Sequence, residues 1–274
     1  MKLGFSTLGC PEWSVDLIIE KAVEYGFDGV EFRGYLGELD LRNCSLFSET
    51  PVKTAEKFES AKIEIPCFST SVRLYSKSDN YKKESLSEIE FYSELCEIFH
   101  MPYLRVFVGE IGNSNRQRAI ERITKNLKKM AEIAERHNVK ILLETHDDWT
   151  ESKYLNMIMK YLNSDSIGIL WDIHHPYVIS GENPSLTWGM LGSWIKHTHW
   201  KDSLLEKESI QPCNLGEGML SLSEFCNVLL GNSYTGYSVF EWEKKWYPEL
   251  ESPDTAFPKY MEFMNKMRRN KFNN

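Results

Sequence analysis

The sequence predicts an α/β fold, a single (β/α)8 TIM barrel, on three observations. Short apolar strands and amphipathic helices alternate eight times with no run of consecutive strands, the pattern of parallel pairing through crossover helices. The 274 residues suit a barrel, which needs about 250, and no linker divides 1–274 into two domains. Four strands in the second half end abruptly in Glu, Asp, His and Glu, and a barrel gathers its strand ends at one mouth. A doubly wound open sheet is the alternative, but no glycine-rich dinucleotide fingerprint follows any strand.

Each element has its own signal. Residues 3–6 form the first strand. Ser14 caps a helix with Leu17, Ile18, Ala22 and Val23 on one face, and Gly26 stops it. Residues 29–32 are the second strand; 34–50 are irregular and read as a long loop. Pro51 starts a helix through Ala61. The third strand spans 64–69, with Pro66 tolerable near its start. A helix over 82–99 leads to the fourth strand, 103–107. The helix over 116–137 carries Ile120, Ile123, Leu127, Met130, Ile133 and Ala134 as a core stripe. The fifth strand is 140–144, followed by a helix over 152–162. Ile167 begins the sixth strand, which runs through Gly168-Ile169-Leu170-Trp171 to Asp172, and 194–199 is the seventh. Residues 201–218 read as a long polar loop. Ser221-Leu222-Ser223-Glu224 matches a capping box opening the next helix. Residues 237–241 are the eighth strand, 255–267 the last helix, and 268–274 a frayed tail.

Composition narrows the function. A net charge of −8 argues against a nucleic-acid partner, since phosphate binding needs a basic surface. A 42% hydrophobic content supports a sizeable core. Six scattered cysteines without a C-x-x-C pair read as reduced thiols of a cytoplasmic protein. Pro11 and Glu12 come too early for a secretory apolar region, and no apolar run matches a membrane span.

Glu144, Asp172, His199 and Glu241 close strands five to eight. A lone Asp or His at a strand end is usually just a hydrogen-bonded polar residue, but four on successive strands face one point on the rim. Three carboxylates and one imidazole suit one divalent ion. Carboxylate favours Mg²⁺ or Mn²⁺ and imidazole draws toward Mn²⁺, Co²⁺ or Zn²⁺, which ranks Mn²⁺ first.

Other residues have two readings each. Lys201 would hold a substrate oxygen or phosphate, against a surface salt bridge. His146 would face substrate or a ligand, against a packed histidine; Glu31 would reach the cavity, against a rim hydrogen bond. Arg33, Arg73 and Arg105 would meet an anionic substrate, against ordinary rim arginines. Trp13, Trp149, Trp200, Trp242 and Trp246 lie near strand ends, suited to a sugar face or to loop packing. Gly216-Glu217-Gly218 reads as a turn, because Glu217 is a poor neighbour for phosphate.

Several pieces carry a family resemblance by their order and spacing: Gly4-Phe5-Ser6-Thr7, Gly29-Val30-Glu31, Leu143-Glu144-Thr145-His146, Trp171-Asp172-Ile173-His174-His175, His199-Trp200-Lys201-Asp202, Gly216-Glu217-Gly218 and Phe240-Glu241-Trp242-Glu243. The chain resembles the sugar phosphate isomerase/epimerase family of xylose isomerase-like barrels, which includes ketose 3-epimerases, hydroxypyruvate isomerase, inosose dehydratase and, more distantly, endonuclease IV. The resemblance implies metal ligation by Glu144, Asp172, His199 and Glu241, with His175 touching substrate or a ligand. It also implies that Glu144 and Glu241 form the acid/base pair. The implied partner is a small sugar, sugar phosphate or keto-polyol, transformed through an enediolate; a homo-oligomer is compatible. Endonuclease IV uses extra histidines at earlier strand ends, and 69–72 and 107–109 contain none. Among the epimerases a Glu lies six residues past the first ligand, where this chain has Thr150. That leaves the reaction open among isomerase or epimerase, a lyase dehydrating an inosose-like substrate, and a noncatalytic sugar- and metal-binding domain.

Overall fold

The protein is described here by a computed structural model covering residues 1–271. In chain order the elements are β1 (Lys2–Ser6), α1 (Val15–Tyr25), β2 (Gly29–Glu31), α2 (Ser45–Ser48), α3 (Pro51–Ala61), β3 (Phe68–Arg73), α4 (Asp79–Ile98), β4 (Tyr103–Phe107), α5 (Arg116–Arg136) and β5 (Lys140–Glu144). There follow α6 (Ser152–Leu162), β6 (Ile167–Asp172), α7 (His174–Ser180), α8 (Pro184–Leu191), β7 (Ile195–Trp200), β8 (Asp202–Glu206), β9 (Ser209–Cys213), α9 (Leu222–Gly231), β10 (Tyr237–Phe240) and α10 (Pro253–Lys271).

Eight parallel strands form one sheet in the order β2-β1-β10-β7-β6-β5-β4-β3. Its two edges meet through the bridges Gly29↔Glu64 and Phe32↔Phe68, with Val30 N–H donating to the Glu64 carbonyl at 2.9 Å and Ser69 N–H to that of Phe32 at 2.9 Å. The barrel is thus closed by a thin seam beside β3.

Alternation along each strand sorts the side chains. Ile141, Leu143, Ile169 and Trp171 join the large core between strands and helices. Leu142 and Leu170 turn inward and pack with Cys67 in a small cluster. Two residues further along the same faces come Glu144, Asp172 and Ser69, so an apolar layer supports a polar one. Gly168 is required in β6: an added Cβ would lie 2.8 Å from a Leu142 methyl and 3.2 Å from the Trp194 carbonyl oxygen.

The helices follow their sequence signals. Ser14 accepts from Leu17 N–H at 3.3 Å, and Gly26 ends α1 in the left-handed region at φ 78°. In α5, Asn115 caps Arg118 N–H and the buried stripe runs from Ala119 to Ala134.

Five expectations shift. The third strand starts at Phe68 rather than at 64, because Pro66 has no N–H to give the ladder and only Glu64 bridges β2. The 34–50 segment contains α2 and a short 3-10 turn, Leu41–Asn43. The supposed loop over 201–218 contains the antiparallel hairpin β8–β9. Its two-residue turn sets Lys207 and Glu208 at φ 46° and 67°, a conformation normally signalled by Asn-Gly, so the sequence concealed it. Ser221 precedes α9 but makes no side-chain cap; its hydroxyl meets Tyr177 Oη at 3.2 Å. Of the expected frayed tail, 268–271 continue α10, and 272–274 lie outside the described residues. Among the described residues no helix is long and apolar enough to cross a membrane.

Candidate metal centre

The four strand-end residues converge. Glu144, Asp172, His199 and Glu241 each offer a ligand atom within 4.8 Å of the others, and all four are buried. His199 Nδ1 lies 3.0 Å from Glu144 Oε1 and 3.4 Å from Glu241 Oε1. Asp172 Oδ1 accepts from the backbone N–H groups of His174 (2.8 Å) and His175 (3.2 Å), which aims Oδ2 at the cluster. Asp172 Oδ2 and Glu144 Oε2 are buried and accept no hydrogen bond; each lies beside a cation, Lys201 Nζ at 2.9 Å and Arg105 Nε at 3.3 Å. Three buried carboxylates and an imidazole nitrogen form a donor set that fits a divalent cation.

Glu31, expected either to reach the cavity or to make a rim hydrogen bond, does not line the cavity of about 180 Å³ beside the cluster. It is fully buried; its carboxylate receives Ser69 Oγ at 2.6 Å and meets His197 Nε2 at 2.7 Å and His199 Nε2 at 2.9 Å. The reason is geometric: Glu31 ends β2 and points across the barrel interior to β7. By holding Nε2 it directs Nδ1 of His199 toward the carboxylates, as outer carboxylates do for metal-binding histidines. His197 went unread, although the His-x-His spacing on one strand puts both rings on the interior face.

Lys201 is no surface residue. Its buried ammonium lies 2.9 Å from Asp172 Oδ2, 2.8 Å from Glu241 Oε2 and 3.2 Å from Glu243 Oε1. The structure also separates the two adjacent histidines. His174 Nε2 bonds Ser203 Oγ at 2.7 Å, whereas His175 Nε2 is 3.5 Å from Asp172 Oδ2 and has no hydrogen-bond partner. His146 packs its ring 4.4 Å from that of His175, and Asp147 Oδ1 holds its Nδ1 at 2.8 Å. Arg105 enters from β4, with Nε 3.3 Å from Glu144 Oε2.

These charges hold one another ionised. Burial alone would raise the Asp172 carboxyl, but the adjacent His175 and Lys201, of which Lys201 carries its charge at pH 7, hold it below the usual carboxylate range. Burial likewise opposes Arg105 and His199 at Glu144, and the charges prevail. Burial would lower His199 and Lys201, yet the surrounding carboxylates raise both. At His174 and His175 burial wins: His174 falls to about 4 and His175 well below its ordinary value, so both rings are neutral at pH 7.

A cavity of about 180 Å³ opens beside the cluster. His174, His175, Lys201, Glu241 and Glu243 supply its polar wall; Ile179, Ile210, Pro212 and Trp242 supply the apolar one. The β8–β9 hairpin thus walls the site. A larger cavity of about 720 Å³ lies at the opposite end of the barrel, around Ile65, Phe99 and Met101, and gathers none of these ligands. Of the tryptophans, Trp242 alone lines the 180 Å³ cavity. Trp149 donates to the Gly109 carbonyl, Trp200 packs toward Phe225, Trp13 packs on Phe257, and Trp246 is half-exposed. Gly216 and Gly218 give their N–H groups to Asp202 Oδ2, as a turn would.

The family model for xylose isomerase-like TIM barrels matches residues 19–267. The chain belongs to that family. A curated relative, 3-dehydroshikimate dehydratase of Bacillus anthracis, is 24% identical over 204 residues; the match covers 68% of this chain and 65% of the relative. The chain thus spans just under two thirds of that relative's length. Among solved structures, the probable 3-DHS dehydratase AsbF of Bacillus anthracis superposes with a TM-score of 0.81 at 18% identity, covering 97% of this chain and 99% of that one. The IolI protein with a bound zinc atom gives 0.83 at 19%, covering 97% and 98%. The 3-keto-D-glucoside 4-epimerase YcjR of E. coli gives 0.77 at 15%, covering 98% and 99%. At these identities the structural likeness establishes a shared fold.

Proposed function

We propose that the protein is a divalent-metal-dependent isomerase or epimerase of a small sugar, sugar phosphate or keto-polyol. The observation that carries this reading is the convergence of Glu144, Asp172, His199 and Glu241 beside the cavity. These four residues hold one ion, Mn²⁺ first by donor chemistry, with Mg²⁺, Co²⁺ or Zn²⁺ as alternatives. When bound, the ion stabilises negative charge developing on a carbonyl and its neighbouring oxygen. Glu144 and Glu241 flank His199 and serve as the pair that takes and returns a proton on the carbon beside that carbonyl. Such transfers are worth roughly a hundredfold to ten-thousandfold. Lys201 and the neutral His175 orient substrate oxygens, and the hairpin wall excludes water from the enediolate.

A dehydratase is the second reading, and His146 favours it. Burial opposes its protonation, but Asp147 and Glu144 raise its pKa. Its Nδ1 is held, which leaves Nε2 to take or deliver a proton apart from the ligand glutamates. The dehydratase names among the relatives agree with this chemistry.

Incubation of the Mn²⁺-loaded protein in D₂O with ketoses, phosphorylated ketoses and inososes, followed by NMR, tests both. C–H exchange with composition retained supports the first reading. Exchange with loss of water supports the second. Metal binding without exchange on any of them makes the protein a noncatalytic binding domain and sinks both.

A further inference from the structure

Next to Glu144 of the metal cluster, three guanidinium groups surround one ring. The guanidinium carbons of Arg33, Arg73 and Arg105 lie 5.9, 5.7 and 4.0 Å from the centroid of Phe107. Arg105 is fully engaged: Nη1 donates to the Thr70 carbonyl at 2.8 Å, Nε to Ser69 Oγ at 3.1 Å, and Glu144 is beside it. Arg33 is not. It is 7% exposed, its Nη1 is buried without a hydrogen-bond partner, and among the described residues neither Arg33 nor Arg73 forms an ion pair. Burial, and then the charge of Arg105, lower its pKa to about 10, so the site holds the cation against its preference. A buried guanidinium left unpaired is costly, and the Phe107 face compensates only part of that cost. The same Phe107 ring lies 4.9 Å from His146, whose ring is 4.4 Å from that of His175. Packing thus links the arginine cluster to the metal site, through Arg105 beside Glu144 and through the rings of Phe107, His146 and His175, although Arg33 does not line the 180 Å³ cavity itself.

We infer that Arg33, supported by Arg105 and by Arg73 at the rim, is an anion subsite that takes a carboxylate or phosphate of the substrate. The substrate is then an anionic polyol, bound by its carbonyl end near the ligand carboxylates and by its charged end against Arg33. Guanidinium is the side chain suited to this task, because its planar fork pairs with two oxygens at once. This rests on the proposed reading that the mouth binds a small polyol.

The experiment is calorimetric titration of the Mn²⁺-loaded protein with D-fructose, D-fructuronate and D-fructose 6-phosphate, which separates neutral, carboxylate and phosphate forms of one frame charged at the end far from the ketone. At least one anionic ketose is expected to bind tenfold or more tightly than D-fructose. Arg33→Gln should abolish that advantage and Arg33→Lys should retain part of it, while Mn²⁺ affinity stays within twofold. The inference is overturned if neither anionic ketose outbinds D-fructose, or if the advantage survives Arg33→Gln. Should Arg33→Gln fail to fold, the wild-type preference and the Arg33→Lys value decide. Mn²⁺ titration of the same samples reports on the metal centre alone, so failure there is distinct from failure of the anion subsite.

Discussion

Glu144 and Glu241 approach His199 Nδ1 from either side, at 3.0 and 3.4 Å through their near oxygens, so each is placed both to hold an ion and to handle a proton. Gln at either position keeps an oxygen donor but cannot carry a proton at neutral pH. Each single substitution should lower turnover by at least about a hundredfold while Mn²⁺ remains bound. In an epimerase, each variant should still exchange deuterium into one epimer only, measured by NMR. Equal loss on both epimers in both variants would assign the pair to metal holding alone. Lys201 presents a different balance. Its ammonium shares Asp172 Oδ2 and Glu241 Oε2 with the donor set and repels a divalent ion. Lys201→Met should therefore tighten Mn²⁺ by about tenfold or more, a cautious figure beside the roughly 4 kcal/mol between unit charges 4 Å apart at intermediate dielectric. Weaker Mn²⁺ binding in a competitive titration would show that Lys201 organises the carboxylates instead.

At the scale of elements, Asp202 ties the site's wall together. Its carboxylate accepts the N–H groups of Ser203, Gly216, Gly218 and Leu220, which fastens β8 to the connection leading into α9. Asp202→Ala would leave several of these donors unmet, so a loss of about 3 kcal/mol is expected by urea unfolding. Proteolysis should become faster within 214–220; unchanged cleavage would mean that the hairpin stands without this anchor. A second clamp joins α4 to the end of α5. His137 meets Glu97 at 2.8 Å and Glu90 at 3.4 Å, and the bond to Glu97, with burial opposing, raises its pKa. The folded value lies above the unfolded one of about 6.5. Its stabilisation is therefore complete below that unfolded value and is lost as pH rises through the folded one. His137→Gln should cost more stability at pH 5.5 than at pH 9, compared by urea midpoints. An equal cost at both would mean that charge plays no part.

For the whole molecule, the proposed ligand set joins β5, β6, β7 and the residue after β10, and β10 in turn pairs with β1. Metal binding should stabilise the barrel as a unit. At a hundred times its Kd, Mn²⁺ adds about 2.7 kcal/mol, which for a chain of this size raises Tm by roughly 5–10 °C. His199→Ala should remove that shift in a thermal melt; a shift that persists would locate the ion elsewhere. How far the sequence reaches is clear from particular residues. Alternating strand and helix signals determined the barrel, because hydrophobic periodicity is local and survives in the bare chain. The same reading picked Glu144, Asp172, His199 and Glu241, because an apolar run ending in a carboxylate or imidazole is visible along the chain, and the structure brings all four together. Only the tertiary structure decided that Glu31 orients His199, that Lys201 sits among the carboxylates, and that Arg33 and Arg105 flank Phe107. It also decided the start of β3 and the β8–β9 hairpin. Those features depend on strand register and on distances across the closed barrel. Such distances join residues far apart in the chain, and no local pattern of side chains encodes them.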